Sequence, residues 1–364
     1  MSASGPEETL RRKLLGLGFD SVGFARVSGP VRNGLEEWMA QGFHADMAWL
    51  ERTAAKRRDS QLVLPGARSA ILLGVNYWPG ATAPTGADEP PGARRPFLAR
   101  YAGYEDYHDT IKPALESAVR MVADCCGVGS DDSRYYVDTG PVWERGWAEK
   151  AGLGFLGKNG MLISRKFGNW MLLAVVLTRA ELAPDVSTGD SAGPRIGRFC
   201  GKCTRCIDAC PTRAFQAAGV IDARRCIAYQ TIENKGSIPE ELRPGIGTRV
   251  FGCDVCLEVC PWNRFARESR RLLLVAKPAL KALSLREMLE MTPERFAEAF
   301  RRTPIKRLKL RGFLRNACVA AGNVIAADPV GDLIEPLRRL AAHPEPIVGE
   351  HARWAIGNIG GRKA

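Results

Sequence analysis

Cys200-Gly201-Lys202-Cys203-Thr204-Arg205-Cys206-Ile207-Asp208-Ala209-Cys210-Pro211 is the stretch from which the rest of the chain is read. The spacing Cys-x2-Cys-x2-Cys-x3-Cys-Pro is that of bacterial ferredoxin loops that ligate iron–sulfur clusters. A second run, Cys253-x2-Cys256-x3-Cys260-Pro261, follows it, and Cys226 stands alone between the two. A cubane needs a thiolate at each corner, and a short loop wraps only three corners. The last Cys, ahead of Pro, leaves toward the neighbouring cluster. The second run is one near Cys short, and Cys226 can supply it. Cys200, Cys203, Cys206 and Cys260 are therefore assigned to one [4Fe–4S] cluster, and Cys210, Cys226, Cys253 and Cys256 to the other. Zinc ribbons use paired CxxC units and do not show this pattern. Disulfides do not suit a chain with no export signal.

The chain has 364 residues, room for two or three domains, and 45% of them are apolar, which supports packed cores. No run approaches the ~20 apolar residues of a membrane span. The start, Met1 to Glu8, is polar and acidic, with neither a signal peptide nor a twin-Arg pattern. Reduced thiols and this start predict a cytoplasmic protein without a membrane. The net charge is +12 and the pI about 9.3, which predicts a polyanionic partner.

Ahead of the cysteines, helices and buried strands alternate. Helices are predicted over Glu7–Leu17, Gly34–Met39, Asp46–Ala54, Thr110–Cys125 and Val142–Ala151, and strands over Ser21–Ala25, Ser69–Tyr77, Tyr135–Val137, Met161–Ser164 and Trp170–Thr178. Pro79 to Pro96 is a surface loop, and Cys125 and Cys126 lack ligand spacing and are expected in the core. The predicted class is α+β: an α/β-type N-terminal domain over 1–180, a ferredoxin-like two-cluster domain over 181–265 whose first residues are a linker, and a helical domain over 266–364. In the last, Gly322-Asn323-Val324 recurs as Gly357-Asn358-Ile359, 35 residues later. That is the period of paired-helix, HEAT-like repeats.

Arg301, Arg302, Lys306, Arg307, Lys309, Arg311 and Arg315 form a basic run with no acid among them. A solvated helix face would carry compensating acids, so phosphates are the expected partners. Arg264, Arg267, Arg270 and Arg271 add a second basic cluster beside Trp262, which either stacks on an unpaired base or walls the cluster pocket.

Several stretches, in this order, resemble the epoxyqueuosine reductase family. They are Arg100-Tyr101-Ala102 with Asp106-Tyr107-His108, Val137-Asp138-Thr139-Gly140-Pro141 with Glu144-Arg145, Ala151 to Gly154 with Gly157-Lys158-Asn159, the eight cysteines, Thr231-Ile232-Glu233, and Cys260-Pro261-Trp262-Asn263. The resemblance implies an oxidoreductase that uses cobalamin and two [4Fe–4S] clusters. It would reduce epoxyqueuosine to queuosine at the wobble position of tRNAs with GUN anticodons (Tyr, His, Asn and Asp types), the last step of queuosine biosynthesis. It also implies that Asp138 is the general acid, with a pKa raised by burial against the corrin. Arg57, Tyr101, Asp138, Lys158 and Asn159 would bind cobalamin, and Lys306, Arg307, Lys309 and Arg311 would contact tRNA. An external low-potential electron donor and a monomeric protein complete the expectation. From the residues alone, Asp138 is equally a turn residue, and His108 a packed or capping one. The alternatives are a soluble reductive dehalogenase-like enzyme for a small molecule, an electron-transfer module and an RNA-binding scaffold.

Overall fold

The computed structural model describes residues 5–31, 33–80, 95–186, 195–327 and 331–359. Most of the expected Pro79–Pro96 loop and the middle of the 181–199 linker lie outside the described residues.

The helices used below are α1 (Pro6–Gly16), α2 (Ala48–Arg58), α3 (Tyr107–Cys126), α4 (Glu144–Lys150), α5 (Arg205–Asp208), α6 (Val255–Glu258), α7 (Lys309–Ala327), α8 (Gly331–Ala341) and α9 (Pro346–Gly357). Strands β1 (Ser21–Arg26), β2 (Ser69–Asn76), β3 (Ser133–Val137) and β4 (Met171–Thr178) form one sheet in the order β1-β2-β4-β3. Every pairing in it is antiparallel. That is an α+β arrangement, without the parallel sheet that an α/β-type domain implies. An unbroken apolar run such as Ser69–Asn76 reports only that both faces of its strand are covered, and β2 is buried at every position. One face packs Ile71, Leu73 and Val176 against Leu10 and Leu14 of α1 and Leu115 and Val122 of α3. The other packs Ala70, Leu72 and Val175 against Trp147 and Ala148 of α4. At Gly23 a Cβ would stand 2.3 Å from the Ala151 carbonyl oxygen, so only glycine lets α4 end this close to β1.

Helix α3 begins three residues before the predicted Thr110, because the Asp106 side chain accepts from the His108 N–H at 3.1 Å and caps it. Tyr107 and His108 therefore stand on the first helical turn. Cys125 and Cys126, expected in the core, are only partly buried at the other end, where Lys13 Nζ is 3.4 Å from Cys125 Sγ.

Near the C-terminus α7 packs against α9 so closely that a Cβ on Gly322 would meet the Ala355 Cα at 2.9 Å. The two Gly-Asn pairs have different partners. Asn323 donates to the Arg243 and Gly247 carbonyls at 2.7 and 3.0 Å, whereas Asn358 reaches Gly322. Among the described residues no helix is long and apolar enough to cross a membrane.

The basic run is compensated in space, not in sequence. Arg302 pairs with Glu105 at 3.0 Å, Arg307 with Glu233 at 2.8 Å and Arg311 with Glu345 at 4.0 Å. Arg315, counted with the run, is fully buried: it donates to the carbonyls of Gln230, Asn234 and Gly236 at 2.8, 2.8 and 2.6 Å. It points inward on α7 and fastens the helical tail to the segment after Cys226. Replacing it by Met orphans three carbonyls at about 1–3 kcal/mol each. Arg315→Met is expected to lower the anaerobic Tm by roughly 5 °C or more, while Lys306→Met on the surface leaves it unchanged. Calorimetry of the two variants checks this, and an unshifted Arg315→Met would remove the fastening role.

Candidate functional site

Each cysteine run leads into a one-turn helix, α5 or α6, and the two short helices pack on each other. All eleven cysteines are free thiols. Among the described residues no three of His, Cys, Asp or Glu converge as one ion requires. Instead Cys200, Cys203, Cys206 and Cys260 ring a cavity of about 130 Å³. Burial, then the charges of Cys200, Cys260 and Cys203, push the Cys206 thiol up to about 11. Burial, then Cys253, Cys226, Cys206 and Cys210, push Cys256 well up. The eight thiols thus crowd one another, with Cys200, Cys203, Cys206 and Cys260 around one cavity. Four thiolates so placed need a cationic centre, and an iron–sulfur cubane fits that donor set.

Lys158 and Asn159, expected to bind cobalamin, stand next to the cysteine loops. Both line the cluster cavity. Lys158 Nζ donates to the Gly201 and Cys203 carbonyls at 2.8 and 3.1 Å, and Asn159 Nδ2 to Asn169 Oδ1 and the Cys256 carbonyl at 2.7 and 3.3 Å. The glycine-rich turn thereby ties both cluster loops together. Asn169 and Asn263, joined at 3.1 Å, complete this lattice. Sequence reading missed Asn169, which no spacing rule marks. Trp262 lines the same cavity and donates to the Phe199 carbonyl at 3.3 Å, so it walls the cluster pocket.

A second centre forms where β3 ends. Asp138 has φ +59°, a left-handed backbone that strains a residue with a Cβ. Arg57, from the last turn of α2, donates to the Gly140 and Val142 carbonyls, both at 3.0 Å. It holds the loop after Asp138 through the backbone. The Tyr107 hydroxyl donates to Asp138 Oδ2 at 2.7 Å; His108 Nε2 is 3.7 Å from the same oxygen, and His108 Nδ1 is 2.6 Å from Asp106 Oδ1. His108 therefore links two carboxylates, and the Asp106-x-His108 spacing at a helix start was the signal for it.

Without a group over it, Asp138 is held as a carboxylate. Crowding pushes the Asp138 carboxyl up, but hydrogen bonds from His108 and Tyr107 and the charges of His108 and Arg145 outweigh it and hold it at about 2. Burial pulls His108 down, but Asp106 and Asp138 outweigh it and raise it to about 9. Burial, then the charge of Asp138, raises Glu144 to about 8. Asp138 is ionised at neutral pH, while His108 and Glu144 hold protons. The Asp138 side chain is 64% exposed although crowding is the largest single influence on it. The carboxylate is thus flanked by Tyr107 and His108 on one side and open to solvent on the other. Glu144 Oε1 is buried nearby without a hydrogen-bond partner, and His108 Nε2 has Asp138 as its ion-pair partner at 3.7 Å.

Tyr101 connects the two centres. Its ring meets Tyr107 edge-on at 6.0 Å, and the charges of both Asp138 and Asp254, the residue after Cys253, act on its phenol. Arg307 acts on Tyr101 and on Asp106, which brings the middle of the basic run to this centre. Lys306, Lys309 and Arg311 are exposed along the same segment.

Two outcomes check this geometry. Cys226→Ala is expected to halve the iron content of anaerobically reconstituted protein; full iron would place another ligand in its role. Glu144 keeps its proton to about pH 8 when folded and loses it near the ordinary value of about 4.3 when unfolded. Between those values the folded state binds the extra proton, so stability falls as pH rises. Glu144→Gln, which cannot ionise, should gain in Tm over the parent from pH 5 to 8; a pH-independent difference would mean an ionised Glu144.

Known proteins were compared with this geometry. Residues 57–139 match the family model described as "Epoxyqueuosine reductase QueG, DUF1730", and residues 199–263 match a "4Fe-4S double cluster binding domain". The epoxyqueuosine reductase of Pseudomonas aeruginosa is 37% identical over 94% of this chain and 92% of its own length. That of Salmonella typhimurium is 35% identical over 94% and 85%. A crystal structure of epoxyqueuosine reductase with an epoxyqueuosine-modified tRNA-Tyr stem loop superposes with a TM-score of 0.80 at 28% identity, covering 97% of this chain and 90% of that one. The Streptococcus thermophilus enzyme superposes with a TM-score of 0.77 at 26% identity, with the same coverage. With relatives this similar over nearly the whole length, the chain belongs to the epoxyqueuosine reductase family of oxidoreductases.

Proposed function

We propose that this chain reduces epoxyqueuosine to queuosine at the wobble position of tRNAs with GUN anticodons, as a cytoplasmic monomer fed by an external low-potential donor. The position of Asp138 carries the reading. It is an accessible carboxylate bonded by Tyr107 and His108, with Tyr101 leading to the cluster cysteines and Arg307 to the basic run. Residues 1–180 form the cobalamin-binding catalytic unit, 181–265 the two-cluster unit and 266–364 the helical, HEAT-like unit that contacts tRNA.

Epoxide reduction to an alkene consumes two electrons and two protons and releases the oxygen as water. The clusters supply electrons one at a time, and cobalamin supplies low-potential two-electron reduction at cobalt. The accessible face of Asp138, with the unpartnered, buried Glu144 Oε1 near it, fits a group that covers it. Tyr101 and the Asp138 loop, which Arg57 holds, would form the wall against that group.

Asp138 delivers a proton to the departing oxygen. Uncovered, it is ionised, with the proton on His108 beside it. Covering it strips water from the carboxylate and raises its pKa, so the proton passes from His108 to Asp138 as the site closes. Tyr107 keeps the carboxylate oriented. Lys306, Arg307, Lys309 and Arg311 meet the phosphates of the anticodon stem; Lys306 and Lys309 form no ion pair among the described residues. Asp138→Ala is expected to bind a modified tRNA stem loop with unchanged affinity and salt slope, and to convert at least about 100-fold less of it, read by mass analysis of the nucleosides. Wild-type conversion by that variant would end the reading.

A further inference from the structure

The surface over the first cysteine set is built unlike the rest. Ile196, Phe199 and Phe265 are 40%, 39% and 40% exposed. Phe199 and Trp262 both meet Phe155, at 5.1 and 5.0 Å between ring centroids, and Phe265 lies 5.6 Å from Trp262. Because Trp262 is also a wall of the cavity ringed by Cys200, Cys203, Cys206 and Cys260, this patch is the outer skin of that site. Cations rim it. Arg165 and Arg198 stand 4.6 and 5.1 Å over the Phe199 ring, and Arg264 stands 4.6 Å over Phe265. Arg195, Lys202 and Arg205 are exposed on the same segment, and none of these six forms an ion pair among the described residues.

Cation–π contact explains why an arginine lies on each ring. It does not explain an uncompensated basic rim around exposed apolar side chains. Such a rim around an apolar centre is the anatomy of a transient protein interface, with the charge setting the encounter rate and the centre the fit. RNA would meet the charge too, but a stacking base needs a free ring face, and here guanidinium groups already occupy the Phe199 and Phe265 faces.

We infer that this face docks a small acidic electron-carrier protein, which delivers electrons where Cys200, Cys203, Cys206 and Cys260 come nearest the surface. The inference rests on the two-cluster reading above. In each encounter one electron leaves the carrier and enters the cluster; no bond is made or broken, no proton is required, and the carrier departs one-electron oxidised.

The experiment uses the anaerobic holoprotein and flavodoxin as the acidic carrier. Arg165→Glu/Arg198→Glu/Arg264→Glu is compared with the parent and with the milder triple Gln variant. Flavodoxin binding, followed by fluorescence anisotropy, should weaken about tenfold or more and lose its salt dependence, with the Gln variant between. Stopped-flow reduction by flavodoxin hydroquinone should slow in parallel, while reduction by dithionite and binding of a tRNA stem loop stay unchanged. Parent protein without salt-dependent flavodoxin binding, or charge-reversed protein that binds flavodoxin normally, overturns the inference. So does a variant that loses tRNA and keeps flavodoxin, which would assign the face to RNA. Parent protein that dithionite cannot bleach strikes instead at the two-cluster reading.

Discussion

Eight thiols drawn from three separate segments crowd into two groups, and mutual repulsion of their thiolates is the constraint on which the rest of the structure depends. Only cationic centres can hold them together. The remaining elements are then hung on the loops that carry them. Lys158 and Asn159 fasten the glycine-rich turn to the cluster-loop carbonyls. Arg100 fastens the stretch before α3, its N–H donating to Asp254 at 2.7 Å and its guanidinium to the buried Glu258 at 3.0 Å. Arg315 and Asn316 fasten the helical tail, Asn316 donating to the Thr231 and Val250 carbonyls at 2.9 and 2.8 Å. Most of these fastenings set a polar side chain on backbone carbonyls, and that of Arg100 uses two carboxylates; either is costly to break from one side.

What could be read from the sequence follows from this. Cysteine spacing is a local property set by cluster geometry, so a double-cluster domain was legible from the letters. Strands and helices with unbroken apolar runs were legible within a few residues. The direction of the strands was not, because Ser69–Asn76 is buried on both faces in an antiparallel sheet as it would be in a parallel one. Arg315 was illegible for another reason. Its acceptors lie about 80 residues away in the chain, and nothing in a basic run marks the one arginine whose helical position faces inward. The contacts of Lys158 and Asn159 with the cluster-loop carbonyls were not legible either, since a motif marks residues and not what they touch.

The Asp138 centre shows the same limit in its chemistry. A proton donor was expected at Asp138, and the argument that an acid must have a raised pKa stands. What the sequence could not show is that Tyr107 and His108, one turn into a helix capped by Asp106, would surround that carboxylate with donors. Two carboxylates a few residues apart, Asp138 and Glu144, end on opposite sides of neutrality because one has hydrogen-bond donors and the other has burial. In the proposed reaction, proton delivery is then a property of the group, and depends on how far Asp138 is covered.

That dependence gives the strained backbone a reason. Asp138 at φ +59° would relax if its loop were free, and Arg57 prevents it by taking two carbonyls of that loop. At Gly140 a Cβ would stand 2.2 Å from the Tyr136 ring, so the loop lies flat on the sheet edge. Held this way, the carboxylate faces Tyr107 and His108 before anything is bound, and covering it changes its protonation without having to move it. Releasing the loop would let the carboxylate swing toward water, where His108 could no longer reload it. The arginine's charge matters here less than its two-pronged geometry, which lysine lacks.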